Sequence, residues 1–238
     1  MKEDIIQFYP SSDKILVRSE ACYQYDAEGK QYIDFEAGVW CANLGHSHPN
    51  IINTILNQTK ESIHQGYKFR NKLAEKLSRE LQRLITYKNG ASVFLSSGSE
   101  AVNLAITIAQ KLTGRKKFLK MNNSYLSAFG FGIISSENKY AVNIQFNDID
   151  AINEIDFNEI CALVLETGGA SIDMVKFPDK IFIEKLCYAT KENNCLIISD
   201  EVTTGFGRLG KWFGFQQYDI LPDIVVTGKG MGNGYPIS

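Results

Sequence analysis

Short apolar segments alternate with amphipathic segments over residues 93–227, and this alternation constrains the fold more than any other feature of the chain. Residues 100–112 and 180–193 carry apolar side chains at helical spacing. The apolar runs that predict strands are 93–95, 118–121, 140–146, 161–165, 196–199 and 224–227. Strands that alternate with helices are typical of α/β domains, in which helices flank a mostly parallel sheet. We therefore predict this fold class.

The first ninety residues follow a different pattern. Residues 22–25 and 31–35 flank a turn that contains Gly29, which predicts a β-hairpin. A helix is predicted to begin at Pro49, because proline is favoured in the first turn, and a second helix is predicted to stop at Gly90. The two apolar stripes, which we expect to face a core, are Ile51, Ile52, Ile55, Leu56 and Ile63, and Leu73, Leu77, Leu81, Leu84 and Ile85.

The composition argues against several classes of function. With 25 Lys and Arg against 27 Asp and Glu, the formal net charge is −2, so no broad basic field is available for nucleic acid or anionic lipid. The apolar runs are much shorter than the roughly 20 residues of a membrane-spanning helix. The amino terminus lacks the apolar region of a signal peptide. Five scattered cysteines without a CxxC pair argue against disulfides. We therefore expect a cytoplasmic protein without nucleic-acid or membrane partners.

The segment SSGSEA at residues 96–101 joins a predicted strand to the helix at 100–112. In α/β sheets, ligands bind beyond the carboxyl ends of the strands, and small residues let the backbone approach an anion there. The amides and dipole of a helix amino terminus favour a phosphate, to which Ser97 and Ser99 can add hydroxyl donors. The alternative is a helix cap, in which one of these serines acts with Glu100.

Two further strand ends carry charged residues. Asp200 and Glu201 follow the strand at 196–199. A carboxylate buried there is costly without a positive partner, which indicates a site. The alternative to a site is that Asp200 caps the next turn. Lys229 lies among glycines after the strand at 224–227. If Lys229 is desolvated, its pKa is lowered and its neutral amine becomes a nucleophile. The alternative is that Lys229 is an ordinary solvated lysine of a loop. A phosphate-binding helix start, a buried aspartate and a nucleophilic lysine together predict pyridoxal 5'-phosphate as cofactor.

At these residues the sequence resembles the class III pyridoxal phosphate-dependent aminotransferases, of the aspartate aminotransferase fold (fold type I). The resembling segments are the hairpin at 21–35, NLGHSHP at 43–49, SGSEA at 97–101, DEVTTGFGRLG at 200–210 and PDIVVTGK at 222–229. The resemblance implies that residues 1–48 form a β-rich part of a small domain and that residues 49–238 form the cofactor-binding large domain. It also implies a homodimer that moves an amino group from an amine or amino acid donor to an oxo-acid acceptor.

The resemblance implies a role for each site residue. Lys229 would form the Schiff base and shuttle protons, and Asp200 would hold the pyridine nitrogen. The other implied cofactor-binding positions are Gly98 and Ser99 at the phosphate, Tyr125 and Val202 on the two ring faces, Thr203 near the ring hydroxyl, and Glu166 in support of the site. We expect no metal, because no acidic or thiol cluster accompanies the three histidines.

Several positions depart from the family pattern. Where the family often has a histidine after the stacking aromatic residue, and sometimes an arginine beyond it, this chain has Leu126 and Ala128. Ser171 stands where relatives acting on ornithine-type or 4-aminobutyrate substrates carry a second glutamate, so these two specificities are disfavoured. An aminomutase or racemase stays open, because the same lysine and aspartate serve those reactions. Full-length relatives are nearly twice as long, so we expect a truncated or split-enzyme chain with negligible turnover alone.

Overall fold

The computed structural model of the protein describes residues 12–66, 68–122, 124–133, 138–170 and 175–238. The chain divides into two compact units, of which the first ends at Gly66 and the second comprises the residues that follow. The predicted domain division between residues 48 and 49 stays a prediction.

The first unit contains a small antiparallel sheet in the order β1-β2-β3, formed by β1 (Leu16–Glu20), β2 (Tyr23–Asp26) and β3 (Gln31–Ile33). The predicted hairpin is confirmed, because β2 pairs antiparallel with β3 and Gly29 in the turn has a φ of 84°. The carboxylate of Asp26 holds this turn together. It accepts hydrogen bonds from the N–H groups of Glu28 and Lys30, at 3.1 and 2.8 Å.

Two helical segments follow in this unit. The first, α1 (Ala37–Trp40), is a single turn with left-handed backbone angles at Gly38 and Val39. The second, α2 (Pro49–Glu61), confirms the helix predicted from Pro49. The expectation that its apolar stripe faces a core is wrong, because none of the residues of α2, all of which the structure describes, is buried. Helical periodicity shows which side chains share a face, whereas burial requires another element to cover that face.

The second unit is an α/β domain, whose described residues form the helices α3 (Lys72–Ile85), α4 (Gly98–Thr113) and α5 (Lys180–Glu192). Its five-stranded sheet is parallel throughout and has the order β10-β9-β6-β4-β5. The strands are β4 (Lys117–Met121), β5 (Ala141–Ile144), β6 (Ile160–Glu166), β9 (Leu196–Asp200) and β10 (Ile224–Val226). A two-residue antiparallel pair, β7 (Gly169–Ala170) with β8 (Val175–Lys176), lies between β6 and α5 in the chain. The predicted fold class is confirmed.

The prediction of a strand at residues 93–95 is wrong. The structure assigns no strand to these described residues, although Leu95 exchanges two backbone hydrogen bonds with Ser238, of 3.0 and 2.9 Å. A three-residue apolar run indicates burial at most, since a strand also needs a partner ladder, which the local sequence does not supply.

Helices cover the two faces of the sheet. Val102 and Ile106 of α4 pack against one face, and Phe182 and Leu186 of α5 pack against the other. Side chains alternate between the faces along each strand. The residues Phe118, Val164 and Ile198 belong to the face on the α4 side, so Lys120, Glu166 and Asp200, each two positions further along its strand, lie on that same side. Because the strands are parallel, their carboxyl ends meet at one edge of the sheet.

Candidate active site

The charged residues predicted at two strand ends lie together at the carboxyl edge of the sheet. Glu166 ends β6 and Asp200 ends β9, and the two residues are directly opposite each other in the ladder. Val226 of β10 pairs with the other side of Asp200, and Lys229 follows shortly after it. The side-chain amine of Lys229 donates a hydrogen bond of 2.8 Å to Oγ1 of Thr203. The backbone of Lys229 has a φ of 42°, in the left-handed region that side chains rarely adopt.

Asp200 is a buried carboxylate that is only 5% exposed. Its Oδ1 accepts a hydrogen bond of 3.1 Å from the N–H of Val202, so it caps the next turn and also lies at the site. Burial raises the pKa of Asp200 well above its usual value, against the lowering effects of this N–H and of the charge on Lys229.

Glu166 is a second buried carboxylate, also 5% exposed. Burial raises its pKa most strongly, and the neighbouring charge of Asp200 raises it further. A hydrogen bond from the Ser124 hydroxyl and the charges of Lys229 and Lys120 act in the opposite direction. Ionisation of either Glu166 or Asp200 therefore disfavours ionisation of the other, because like charges repel strongly in a buried, low-dielectric site.

Glu201, next to Asp200 in the chain, has a different role. It is fully buried, and its Oε1 accepts from the Ser199 hydroxyl at 2.8 Å and the Phe215 N–H at 2.9 Å. Its Oε2 accepts from the Thr204 hydroxyl at 2.6 Å and the Gly214 N–H at 2.7 Å. These four donors make Glu201 an anchor between the end of β9 and the segment around residue 214. The sequence pattern does not distinguish Glu201 from Asp200, and their different roles follow only from the contacts in the structure.

The start of α4 shows the helix cap, which is one of the two alternatives left open by the sequence. Ser97 is the helix cap, with its Oγ accepting from the Glu100 N–H at 3.3 Å, while the Glu100 carboxylate accepts from the Ser96 N–H at 3.1 Å. Glu100 therefore bonds the N–H of the residue before the cap, whereas in a capping box it would bond the N–H of the cap residue itself. Ser99 takes no part in these contacts. Its Oγ accepts from the N–H of Ala128 at 3.0 Å, which leaves the hydroxyl proton for a further acceptor.

Gly98 lies against Val202. A Cβ atom added at Gly98 would lie 2.8 Å from Cγ2 and 2.9 Å from Cγ1 of Val202, closer than such carbons approach. A glycine at this position is therefore required by the close approach of the α4 start to Val202, two residues after Asp200. The structure thus brings Gly98 and Val202 together, as the sequence predicts for two residues of one site.

The segment after β4 is tied to the start of α4. Nδ2 of Asn103 donates to the Phe129 carbonyl at 3.0 Å, and its Oδ1 accepts from the Phe131 N–H at 2.7 Å. Together with the bond between Ala128 and Ser99, these contacts hold the described residues 124–133 against α4. Tyr125 belongs to this segment and is partly buried. Ser171 lies outside the described residues.

Lys120, Ser124 and Asn103 are contributors that the sequence reasoning missed. A lysine inside the predicted apolar strand 118–121 was the available signal for Lys120, because a buried ammonium requires a partner. The described residues contain no group of three or more His, Cys, Asp or Glu side chains placed to hold a metal ion. None of the helices in the part of the chain that the structure describes is both long and apolar enough to cross a membrane.

Comparison with known families defines the class of protein. Residues 9–145 and 128–238 match the family model described as Aminotransferase class-III. The chain therefore belongs to the class III aminotransferase family. It is 32% identical over 246 residues to a LysW-aminoadipate semialdehyde/glutamate semialdehyde transaminase of Sulfolobus acidocaldarius, an alignment that covers 98% of this chain and 63% of that protein.

Solved structures show the same fold. Acetylornithine aminotransferase from Elizabethkingia anophelis superposes with a TM-score of 0.81 at 26% identity, covering 98% of this chain and 59% of that one. Taurine:2-oxoglutarate aminotransferase from Bifidobacterium kashiwanohense, solved in complex with PLP and glutamate, gives a TM-score of 0.86 at 22% identity, covering 100% of this chain and 61% of that one. The chain thus spans less than two thirds of the length of these relatives.

Proposed function

We propose that the protein is a pyridoxal 5'-phosphate-dependent aminotransferase, which moves an amino group from an amine or amino acid donor to an oxo-acid acceptor. The observation that carries this proposal is the meeting of Lys229, the buried Asp200 and the start of α4 at one edge of the sheet. Membership of the class III family and the likeness to an enzyme solved with PLP support it.

The donor set fits the cofactor. At the α4 start, Gly98 has no room for a side chain and Ser99 has a hydroxyl proton to donate, which suits a phosphate beside a helix amino terminus. Asp200 is a buried acceptor, which suits a protonated ring nitrogen. The amine of Lys229, held by Thr203, suits attachment to an aldehyde.

When bound, pyridoxal phosphate supplies an electron-withdrawing ring that stabilises negative charge on the amino-bearing carbon of the donor. In the proposed reaction Nζ of Lys229, oriented by Thr203, would accept the proton lost by that carbon and would donate it to the aldehyde-derived carbon of the cofactor. Asp200 would keep a proton on the ring nitrogen. Val202 and Tyr125 would lie on the two ring faces and exclude water, Gly98 and Ser99 would hold the phosphate, and Glu166 would support the site next to Asp200.

Absorbance spectroscopy tests the cofactor proposal. The purified chain mixed with pyridoxal phosphate is expected to develop the band of a lysine-bound cofactor, and Lys229→Ala is expected to abolish it. Lys185→Ala, on the exposed side of α5, is the matched control and is expected to keep the band. Absence of the band from folded wild-type protein would contradict the proposal.

The remaining properties are proposals of the same kind. A homodimer, a cytoplasmic location, no resident metal, and the absence of nucleic-acid and membrane partners follow from the family resemblance and from the balanced charge of the chain. Sedimentation of the cofactor-loaded protein tests the dimer. Consumption of an added oxo acid distinguishes an aminotransferase from an aminomutase or racemase, which needs no such acceptor.

A further inference from the structure

A buried lysine lies beside the site and has no role in the reaction described above. Lys120, in the interior of β4, is only 6% exposed. Its Nζ donates to the carbonyl of Ser124 at 3.4 Å, a long hydrogen bond that leaves most of the cost of burying an ammonium group unmet. Burial accordingly lowers the pKa of Lys120, and attraction to Glu166 opposes that shift.

The sheet geometry explains this attraction. Lys120 pairs with Val164 of β6, two residues before Glu166, and both side chains lie on the α4 side of the sheet. A lysine side chain is long enough to extend from that level towards the strand end. Ser124 acts on both residues, because its carbonyl accepts from Lys120 at 3.4 Å and its hydroxyl lowers the pKa of Glu166. The charges at this edge therefore follow the order Lys120, Glu166, Asp200, Lys229.

We propose that Lys120 is a positioning residue of the site, whose ammonium group favours the carboxylate form of Glu166 next to Asp200 and holds the Ser124 carbonyl that precedes Tyr125. This inference rests on the proposed function. It assigns to Lys120 two effects, one on the charge of the carboxylate pair and one on the backbone that presents Tyr125.

The need for a second cation follows from the chemistry. Two adjacent buried carboxylates oppose one another's ionisation. Lys229 compensates them from the β10 side of the pair, and Lys120 is the protein cation on the β4 side. The described polar and charged groups near Glu166 are Lys120 and Ser124 on the β4 side, Asp200 of β9 and Lys229 after β10. The residues that α4 packs on this face are apolar, namely Val102, Ala105 and Ile106.

Unfolding of the protein without cofactor tests the charge effect. Lys120→Met keeps the length of the side chain and removes its charge, and Lys117→Met on the same strand, whose partially exposed amine pairs with Glu159, is the matched control. Between pH 5 and pH 9 we expect the folding equilibrium constant of Lys120→Met to fall about fivefold more than that of the wild type, because loss of one opposite charge raises the pKa of Glu166 by about one unit above its wild-type value of about 8. Lys117→Met should follow the wild type.

A second background separates charge compensation from packing. In Glu166→Gln, the Lys120→Met change should leave the pH dependence of unfolding unaltered, because the group that it compensates is gone. An extra pH dependence that persists in Glu166→Gln would overturn the proposal. Equal pH dependence in wild type and Lys120→Met would also overturn it, as would a Lys120→Met variant that is already unfolded at pH 5, where protonated Glu166 needs no partner.

Cofactor binding gives an independent readout. We expect Lys120→Met to bind pyridoxal phosphate up to about tenfold more weakly than the wild type at pH 6, where Glu166 is largely protonated and Lys120 favours its carboxylate form, with a smaller difference at pH 9, and Lys120→Arg to recover part of the loss. If the wild type itself shows no cofactor band, the proposed function fails, while the unfolding measurements still decide the role of Lys120. A loss of affinity that is the same at both pH values would contradict the charge effect.

Discussion

The amine of Lys229 and the hydroxyl of Thr203 form a hydrogen bond of 2.8 Å that joins the segment after β10 to the segment after β9. This bond orients the amine at the carboxyl edge of the sheet before any ligand arrives. Lys229 holds a left-handed backbone angle, with a φ of 42°, and is flanked by two glycines. A strained residue held by a specific partner is typical of functional sites.

Thr203→Val tests the role of this bond. Valine keeps the shape of threonine and removes the acceptor, so the orientation of the Lys229 amine is lost. We expect pyridoxal phosphate to bind about fivefold more weakly, which corresponds to one hydrogen bond of about 1 kcal/mol. Titration of the lysine-bound cofactor band measures the effect. Thr203→Ser keeps the hydroxyl and should bind as the wild type does, and equal affinities of the valine and serine variants would contradict the assignment.

The stability of the protein without cofactor should fall as the pH rises from about 5 to about 8. Burial raises the pKa of Glu166 from 4.5 to about 8 and that of Asp200 from 3.8 to about 7. The folded state therefore binds more protons than the unfolded state, and this contribution is complete below pH 4 and lost as the pH passes through the folded values. Urea unfolding at a series of pH values measures the slope.

Asp200→Asn and the cofactor provide two checks on that slope. The asparagine variant should show a smaller loss of stability between pH 5 and pH 8, because one of the two titrating groups is removed. Saturating pyridoxal phosphate should also reduce the loss, since a protonated ring nitrogen stabilises the Asp200 carboxylate. A stability that rises over this range in the absence of cofactor would show that the two carboxyl groups do not have raised pKa values.

Glu201→Gln should destabilise the protein much more than Asp200→Asn at pH 7. The Glu201 carboxylate accepts four hydrogen bonds of 2.6 to 2.9 Å and a longer one of 3.4 Å from the Thr167 hydroxyl, and the amide nitrogen of glutamine would face at least two of these donors without accepting from them. We expect a loss of about 3 kcal/mol in the free energy of unfolding, as for other broken buried charge networks. Chemical denaturation measures both variants in parallel. Similar losses in the two variants would contradict the division of roles between these neighbouring acids.

Gly98→Ala should destabilise the start of α4 by overpacking. The added methyl group would lie 2.8 Å from Val202, and relief of such contacts costs about 2 kcal/mol. Val202→Ala removes the opposing methyl groups, so the double variant should recover part of the loss produced by Gly98→Ala. A double-variant cycle by thermal or urea unfolding measures this coupling, and simple additivity of the two changes would argue against the contact.

The sequence predicted most of the elements of the second unit because their signals are local. Helices α3, α4 and α5 follow apolar stripes of helical period, and β6 and β9 follow short apolar runs. The same local signals were insufficient at residues 93–95, where no strand forms, and on α2, whose apolar stripe is not buried. Pairing and coverage depend on elements far away in the chain.

The sequence by itself determined that charged and small residues follow the strands of a parallel α/β sheet, and so that Asp200, Lys229 and the α4 start share one edge. It did so because chain direction and helical period are local properties. Only the tertiary structure decided that Glu166 lies opposite Asp200, that Glu201 is an anchor, and that Lys120 faces this pair. The order of the strands and their register decide these neighbours, and both arise from the packing of helices onto the two faces of the sheet.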